Sequence, residues 1–252
     1  IFILLSIFCA LLNNAQTNLV MNPSFESYTV CPTALYQLDL TLGWWPAMYT
    51  PDYYNACDPT KHVGVPKNWM GNQIASSGSA YGGFFAFTPE VPQTYREYLR
   101  GQLTQPLQAR TKYYLSMKVN CPERWGYDDT GYAVSESLAC NMLGMKFITF
   151  PIIAGNPPTP QNFTNLMNNQ AHLYSQKIIT DTTNWTTIQG SFIADSAYTH
   201  VMLGNFFDNN HTDTLKRKYS VNTSYYYVDD VIVSTDSTII DYTLGMAESS
   251  YT

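Results

Sequence analysis

Residues 113–119 alternate regularly between apolar and polar positions. The apolar residues fall on one side of an extended chain, and the polar residues Ser116 and Lys118 fall on the other. A period of two residues is typical of a strand with one buried face and one open face. This stretch therefore predicts a strand with the inward side chains Tyr113, Leu115, Met117 and Val119.

A second stretch, residues 225–233, consists of aromatic and β-branched side chains interrupted by two carboxylates. Such a composition suits a largely buried strand. Asp229 and Asp230 point to opposite faces, because side chains alternate along a strand. Since ionised side chains are almost never buried alone, at least one carboxylate needs a cation, backbone N–H donors or open solvent at a sheet edge.

Further stretches have the same strand-like composition and are separated by turns rich in Gly, Pro, Ser and Asn. Together they amount to roughly ten short strands, with one short helical pattern near residues 163–174. This organisation predicts an all-β sandwich or barrel. The additional strand predictions cover residues 16–26, 80–87, 95–103, 145–153, 185–194 and 199–206.

The two ends of this series carry the motifs NLVxNPSFE, residues 18–26, and YYxDDVxV, residues 226–233. The pair resembles the jelly-roll carbohydrate-binding modules of the galactose-binding-like superfamily, in many of which the first and last strands lie together. Secreted proteins of Bacteroidota with this module at their N-terminus are similar to this chain over residues 16–31, 69–119 and 181–234.

The sequence divides into a leader, one domain and a tail. Residues 1–15 form an apolar run of signal-peptide length, too short for a membrane span, so no transmembrane segment is expected after cleavage. The fold that the resemblance implies, a jelly-roll β-sandwich with long disulfide-pinned loops, then occupies residues 16–235. Residues 241–252 show no core pattern, so residues 236–252 are expected to be a linker or the start of a further C-terminal region, with a fused domain as a partner.

Composition narrows the range of partners. The chain has 20 Tyr and 12 Phe but only 13% charged residues, which suits an extracellular β-sandwich better than a disordered chain. Its formal net charge is −6, with one short basic cluster at residues 216–218. We therefore predict no nucleic-acid partner, because phosphate binding requires clustered Lys and Arg.

The predicted mature chain has four cysteines, Cys31, Cys57, Cys121 and Cys140. An even number behind a secretory signal indicates two disulfides, although four cysteines allow three connectivities. Pairing of nearest neighbours closes two modest loops, so we predict the bridges Cys31–Cys57 and Cys121–Cys140. The spacing does not match the paired CxxC pattern of a zinc site.

The long loop region that begins at Cys31 is crowded with aromatic residues, and a second loop adds more. Trp and Tyr rings stack on the C–H faces of sugars and keep a polar tip for hydrogen bonding. We predict a ligand-binding platform; in the alternative, the same rings pack the loop onto the sandwich. The predicted platform residues are Trp44, Trp45, Tyr49, Tyr53, Tyr54, Trp69 and Trp125.

Two carboxylates near the ends of the predicted domain, Glu26 and Asp229, have no Lys or Arg within five residues. In the modules that the sequence resembles, a structural calcium ion is held partly by these two acidic elements. Calcium prefers several oxygen ligands, and the resemblance adds backbone carbonyls of residues 76–80. We predict a structural Ca²⁺ ion at Glu26 and Asp229; the alternative is a pair of carboxylates capped by N–H groups or Lys.

Catalytic patterns are poorly represented. The sequence has no HExxH, HxH or GxSxG pattern, and spacing alone cannot place Glu90, Glu97 or Glu123 opposite another carboxylate as in a glycosidase. We therefore predict a non-catalytic binding module, secreted or at the cell surface, with carbohydrate as the favoured ligand. The alternative is a structural or adhesive surface protein without a specific sugar ligand.

Overall fold

The computed structural model describes residues 18–89, 95–122, 138–151, 166–217 and 222–240. Two short 3-10 turns, Leu38–Leu40 and Ser237–Ile239, accompany the strands. Within this part of the chain, no helix has the length and apolar character needed to cross a membrane. The strands are β1 Trp44–Met48, β2 Asp52–Asn55, β3 Lys67–Asn68, β4 Gly71–Asn72, β5 Ala80–Phe87, β6 Tyr98–Gln102, β7 Lys112–Asn120, β8 Ala139–Cys140, β9 Leu143–Ile148, β10 Leu173–Tyr174, β11 Thr186–Ile193, β12 His200–Asn205, β13 Thr214–Leu215 and β14 Ser224–Ser234.

Most of these strands belong to two five-stranded sheets. The first sheet has the order β1-β6-β12-β9-β10, and the second has the order β11-β7-β14-β5-β2. From β5 onwards the chain passes back and forth between them, which gives the two interleaved four-stranded sheets of a jelly roll. The edge strands β1 and β2 extend one sheet each. The predicted all-β jelly-roll β-sandwich is therefore confirmed.

Inward side chains of both sheets fill the space between them. On β7, all the inward residues predicted from the alternating pattern are buried in this core. On β14, Tyr226 faces the same core, whereas Tyr225 and Tyr227 face the outside of the second sheet. There they are buried in a separate aromatic cluster with Tyr54 and Tyr81. Both faces of β14 are therefore covered, as its composition predicted.

The two ends of the described domain lie together, as the resemblance implied. The backbone N–H of Leu19 donates to the carbonyl oxygen of Val233 at 2.8 Å. Val20 forms an isolated antiparallel bridge with Leu103, just after β6. The N-terminal segment therefore connects the last strand of the second sheet to the first sheet. The packed part of the chain continues past residue 235, because Ile240 is also buried.

The first predicted disulfide is confirmed. Cys31 and Cys57 are joined by an S–S bond of 2.06 Å and are 26 residues apart in sequence. The bridge encloses the segment that contains β1 and β2, which belong to different sheets. It therefore holds the aromatic loop region at one side of the sandwich.

The second predicted disulfide is wrong, because no bond joins Cys121 to Cys140 in the structure. Both residues are buried in the core, and the backbone N–H of Cys140 donates to the Tyr226 hydroxyl at 2.8 Å. Burial raises the pKa of the Cys140 thiol to about 12. Disulfide exchange requires the thiolate, so this environment keeps the sulfur in its unreactive form.

Candidate functional site

Three predicted platform residues lie in the interior instead of at the surface. Trp44, Tyr53 and Tyr54 have no exposed area. The Trp44 ring packs against Phe25 with centroids 4.7 Å apart, and its indole N–H donates to the carbonyl oxygen of Asn22 at 2.9 Å. A sugar cannot reach ring faces that protein atoms cover, so the platform role is wrong for these three residues.

The two tyrosines of β2 are buried because both sides of this strand are covered by other parts of the protein. Successive side chains of a strand point to opposite sides, and β2 is covered on both. The Tyr53 hydroxyl donates to the carbonyl oxygen of Phe25 at 3.0 Å, on the core side. The Tyr54 hydroxyl lies 2.7 Å from the Tyr225 hydroxyl, in the aromatic cluster outside the second sheet. These rings pack the loop region, as the alternative interpretation stated.

Trp45, Tyr49 and Trp69 are partly exposed, and their role in ligand binding stays a prediction. Trp69 lies between β3 and β4 and stacks on His62, with ring centroids 4.3 Å apart. Trp45 belongs to the first sheet, so it and Trp69 are separate positions rather than neighbours on one strand. Trp125 lies outside the described residues.

The outer face of the first sheet brings Trp45 into line with side chains that the sequence analysis did not select. In the ladders, Trp45 pairs with Arg100, Arg100 with Met202, and Met202 with Lys146. Paired residues of adjacent strands lie on the same side of a sheet. These four residues therefore form a row that crosses β1, β6, β12 and β9.

A second row follows two residues further along β6, where Gln102 pairs with His200 of β12. Leu99, which precedes Arg100, and Val201, which lies between His200 and Met202, point into the core, and this places both rows on the outer side. We call this surface the Trp45 face, defined by the side chains of Trp45, Arg100, Gln102, Lys146 and His200.

The Trp45 face is basic. The guanidinium carbon of Arg100 lies 5.3 Å from the centroid of the Trp45 ring, a distance at which a planar cation stacks on an indole. Burial lowers the pKa of Arg100, and burial lowers the pKa of Lys146 to about 8. The pKa of His200 is lowered by burial and by the Arg100 charge. At neutral pH, Arg100 and Lys146 are the cations of this face.

Lys146 is held by neutral acceptors. Its ammonium group donates to the carbonyl oxygen of Leu166 at 3.2 Å and to the side-chain oxygen of Asn168. It also lies 5.6 Å from the ring centroid of Phe206.

The alternation of side chains along β6 was a sequence signal for part of the Trp45 face, because an inward Leu99 requires outward neighbours. No comparable signal linked β6 to β9, which is distant in sequence.

A groove of about 420 Å³ lies on the opposite side of the molecule, outside β7, β11 and β14 of the second sheet. Its charged side chains are paired with each other, since the Lys118 ammonium lies 3.2 Å from a carboxylate oxygen of Asp230. Ser116, Gln189 and Ile240 are also among the residues that line it. None of the lining residues in the described part of the chain is aromatic.

The turn at residues 76–80 lies against both predicted calcium ligands. Glu26 accepts a hydrogen bond from the backbone N–H of Ser79 at 2.9 Å, and Asp229 accepts one from that of Ser76 at 2.8 Å. Gly78, with φ +63°, lies so close that an added Cβ would meet the Glu26 carboxyl at 2.4 Å. The turn is therefore shaped around the two carboxylates.

Asp230 supplies further contacts to the same turn. It accepts hydrogen bonds from the hydroxyls of Ser24 and Ser76, and it pairs with Lys118 of β7. Burial alone would raise the pKa of Asp230, but these contacts lower it. Burial and the Asp230 charge raise the pKa of Asp229 to about 8. This arrangement matches the alternative of capped carboxylates and does not require a metal ion.

Among the residues that the structure describes, no group of three or more His, Cys, Asp or Glu side chains is placed to hold a metal ion. Calcium at Glu26 and Asp229 stays a prediction, which melting experiments test. A ligand that binds only the folded state stabilises it by mass action. Added calcium should therefore raise the melting temperature, and a chelator should lower it.

Substitutions at the two carboxylates sharpen this test. Glu26→Gln and Asp229→Asn should each remove most of the response to calcium, while Asp39→Asn, at an exposed carboxylate in the first 3-10 turn, should retain it. If metal-free protein melts at one temperature with calcium and with chelator, the predicted site does not exist.

A second pair of carboxylates, Asp52 and Glu97, lies in the interior. Glu97 accepts hydrogen bonds from the Tyr95 hydroxyl at 2.6 Å and from the backbone N–H of Phe85 at 2.9 Å. Asp52 accepts one from the Tyr225 hydroxyl. Burial raises the pKa of both carboxyls, and the Asp52 charge raises that of Glu97 further. Because Glu97 has no exposed area, it cannot contact a substrate in this structure.

No protein-family model matches this sequence, and no curated protein is significantly similar to it. Three solved structures are similar in fold. The CBM22-1-GH10 modules of Xyn10B from Clostridium thermocellum, complexed with xylohexaose, are 12% identical with a TM-score of 0.39; the match covers 84% of this chain and 29% of that chain. The CBM22-1 xylan-binding domain of Xyn10C from Paenibacillus barcinonensis is 11% identical with a TM-score of 0.38, covering 87% and 96%.

The third structure is the K1 cleaved adhesin domain of Lys-gingipain from Porphyromonas gingivalis W83. It is 15% identical with a TM-score of 0.40, and the match covers 88% of this chain and 99% of that domain. At these identities and scores, the likenesses carry no argument about ligand or family. The function of the chain has to be argued from its own side chains.

Proposed function

We propose that the protein is a non-catalytic binding module, secreted or at the cell surface, that binds carbohydrate through the Trp45 face. The observation that carries this proposal is the partly exposed Trp45 ring beside the Arg100 guanidinium on the outside of the first sheet. An aromatic ring offers a stacking surface for a sugar, and Gln102 and His200 add polar groups in the next row.

The Trp45 face is a better ligand site than the groove outside the second sheet. The groove offers no aromatic ring among its described lining residues, and its ion pair is already part of the structural contacts of Asp230. Burying that pair under a ligand would add a desolvation cost without a new partner for either charge. We therefore assign the ligand to the first sheet.

Replacement of Trp45 by alanine should weaken binding to a cognate polysaccharide at least about tenfold, because aromatic anchors contribute a large share of binding energy. Affinity gel electrophoresis against a panel of plant and bacterial polysaccharides would measure this. The melting temperature should stay near that of the wild type. Trp185→Ala, at a partly exposed ring packed beside the second sheet and outside the predicted platform, is the matched control and should bind like the wild type.

The competing function is a structural or adhesive surface protein without a sugar ligand. A wild-type protein that binds no polysaccharide of the panel would favour it over our proposal. A Trp45→Ala variant that binds as well as the wild type would move the ligand away from the Trp45 face.

A further inference from the structure

The outer face of β6, β9 and β12 carries the buried phenol of Tyr98 and otherwise only basic titratable side chains. They are Arg100, Lys146 and His200, and the outward positions of these strands include no Asp or Glu. The chain as a whole has 19 acidic and 13 strongly basic residues. A surface of opposite sign to the whole protein is therefore concentrated at the proposed ligand site.

On the opposite side of the sandwich, a positive charge is paired with a negative one. There, the cation Lys118 lies 3.2 Å from the carboxylate of Asp230. On the Trp45 face, Lys146 contacts neutral oxygens and an aromatic ring. No carboxylate in the described part of the chain pairs with Lys146, so an anionic ligand would bring an opposite charge to this ammonium group.

We propose that the Trp45 face binds a polysaccharide that carries anionic groups, either carboxylates or sulfate esters. This inference rests on the proposed function and names its ligand class. Arg100 is suited to either anion, since guanidinium groups bind carboxylates and tetrahedral oxyanions such as phosphate through two parallel hydrogen bonds. Lys146 would act as a point charge for a second anionic group along the chain.

The dimensions of the face suit a chain of sugars rather than a single ring. Trp45 and Lys146 stand at opposite ends of one row and are separated by three strand spacings, or about 14 Å. Met202, which lies between them in the row, is buried under a hydrophobic cluster, so a chain that reaches both the ring and the second cation would pass over this cluster with different sugar units. Burial and neighbouring positive charge lower the pKa of His200 and burial lowers that of Lys146, effects that a bound anion would oppose.

Two matched pairs of polymers test the inference and separate the two sources of charge. Polygalacturonate is compared with its fully methyl-esterified form, and dextran sulfate is compared with dextran. Wild-type protein should bind at least one charged member about tenfold or more tightly than its neutral counterpart. Equal binding of charged and neutral members of both pairs would overturn the inference.

Charge-removing variants then locate the site. Lys146→Gln and Arg100→Gln should each weaken binding of the preferred anionic polymer about tenfold, whereas the control Lys112→Gln removes an exposed cation from the second sheet and should have no effect. Arg100 is largely buried, so if its variant does not fold, Lys146→Gln decides. Equal weakening by Lys112→Gln would show non-specific attraction and overturn the assignment.

The inference and the proposed function fail in different ways. If wild-type protein binds only neutral polysaccharides, and Trp45→Ala abolishes that binding, the function stands and the anionic ligand class is wrong. If it binds neither the charged polymers nor any neutral polysaccharide, the proposed function itself is wrong.

Discussion

Replacement of Trp44 by alanine should lower the free energy of unfolding by about 3–5 kcal/mol, the usual cost of deleting a large aromatic side chain from a core. Trp44 has no exposed area and stacks on Phe25. The Trp44 ring also packs closely against the backbone at Gly101. A Cβ atom added to Gly101 would lie only 2.7 Å from this ring. The substitution would leave the Asn22 carbonyl without its indole N–H partner as well.

Urea denaturation of the variants Trp44→Ala and Trp45→Ala compares the loss of stability at a buried and at a partly exposed position of one strand. Trp45 is partly exposed on the other side of β1, so its replacement should cost about 1 kcal/mol or less. For ligand binding we expect the reverse: Trp45→Ala should weaken binding more than Trp44→Ala does. A Trp44→Ala variant with native stability and lost binding would restore the predicted platform and contradict the core position.

These two tryptophans show how far the sequence alone determines a site. The period of two residues states that Trp44 and Trp45 face opposite sides, but it does not state which side is the core. The sequence could not show which of the two tryptophans faces the core, because both sides of the first sheet are partly apolar. Outside β1, Ala47 and Met48 pack in a second hydrophobic cluster with Tyr98 of β6.

Strands with one clearly polar face were predicted well, and β7 is the best case. The composition of β14 also predicted a strand covered on both faces. Its carboxylates were predicted to need partners, but the partner of Asp230 is Lys118 on the adjacent strand β7. Strand order in a jelly roll does not follow chain order, so sequence spacing could not name that residue.

The same reason explains why the Trp45 face was not predicted. Its basic residues come from β6, β9 and β12, which become neighbours only through the order of the first sheet. Each residue taken alone looks like an ordinary polar position on a half-buried strand. The prediction of the second disulfide was based on nearness in sequence alone. In the fold, the thiols of both cysteines are buried around β14, and no bond joins them.

The buried carboxyls of Asp52 and Glu97 should each make the protein less stable as the pH rises from about 5 to about 8, and Asp229, whose pKa is also raised, acts in the same direction. His172, whose pKa burial lowers from 6.5 to about 4, opposes them in the lower part of this range. Burial raises the pKa of Asp52 from 3.8 to about 6; burial and the Asp52 charge raise that of Glu97 from 4.5 to about 8. A carboxyl with a raised pKa stabilises the folded state fully below its unfolded pKa. That contribution is lost as the pH rises through the folded value, at about 1.4 kcal/mol per pH unit for each proton.

Glu97→Gln should flatten this profile. The amide keeps the size and much of the hydrogen bonding of a protonated carboxyl but cannot ionise. Its nearest polar partners in the structure are the hydroxyls of Tyr95 and Thr50 and the N–H of Phe85, none of which carries a positive charge to favour the carboxylate. Near pH 8.5 the variant should therefore be more stable than the wild type, while near pH 5 the two should be similar.

Thermal melting between pH 5 and 9, in the presence of a chelator, measures this difference without interference from calcium. Asp213→Asn, at an exposed carboxylate, should reproduce the wild-type slope and so exclude a general effect of net charge. If the difference in stability between Glu97→Gln and the wild type stays the same from pH 5 to pH 9, Glu97 is ionised in the folded protein throughout this range. The buried tyrosine network would then have to stabilise a carboxylate rather than a carboxylic acid, and Glu97→Gln would destabilise the protein at every pH.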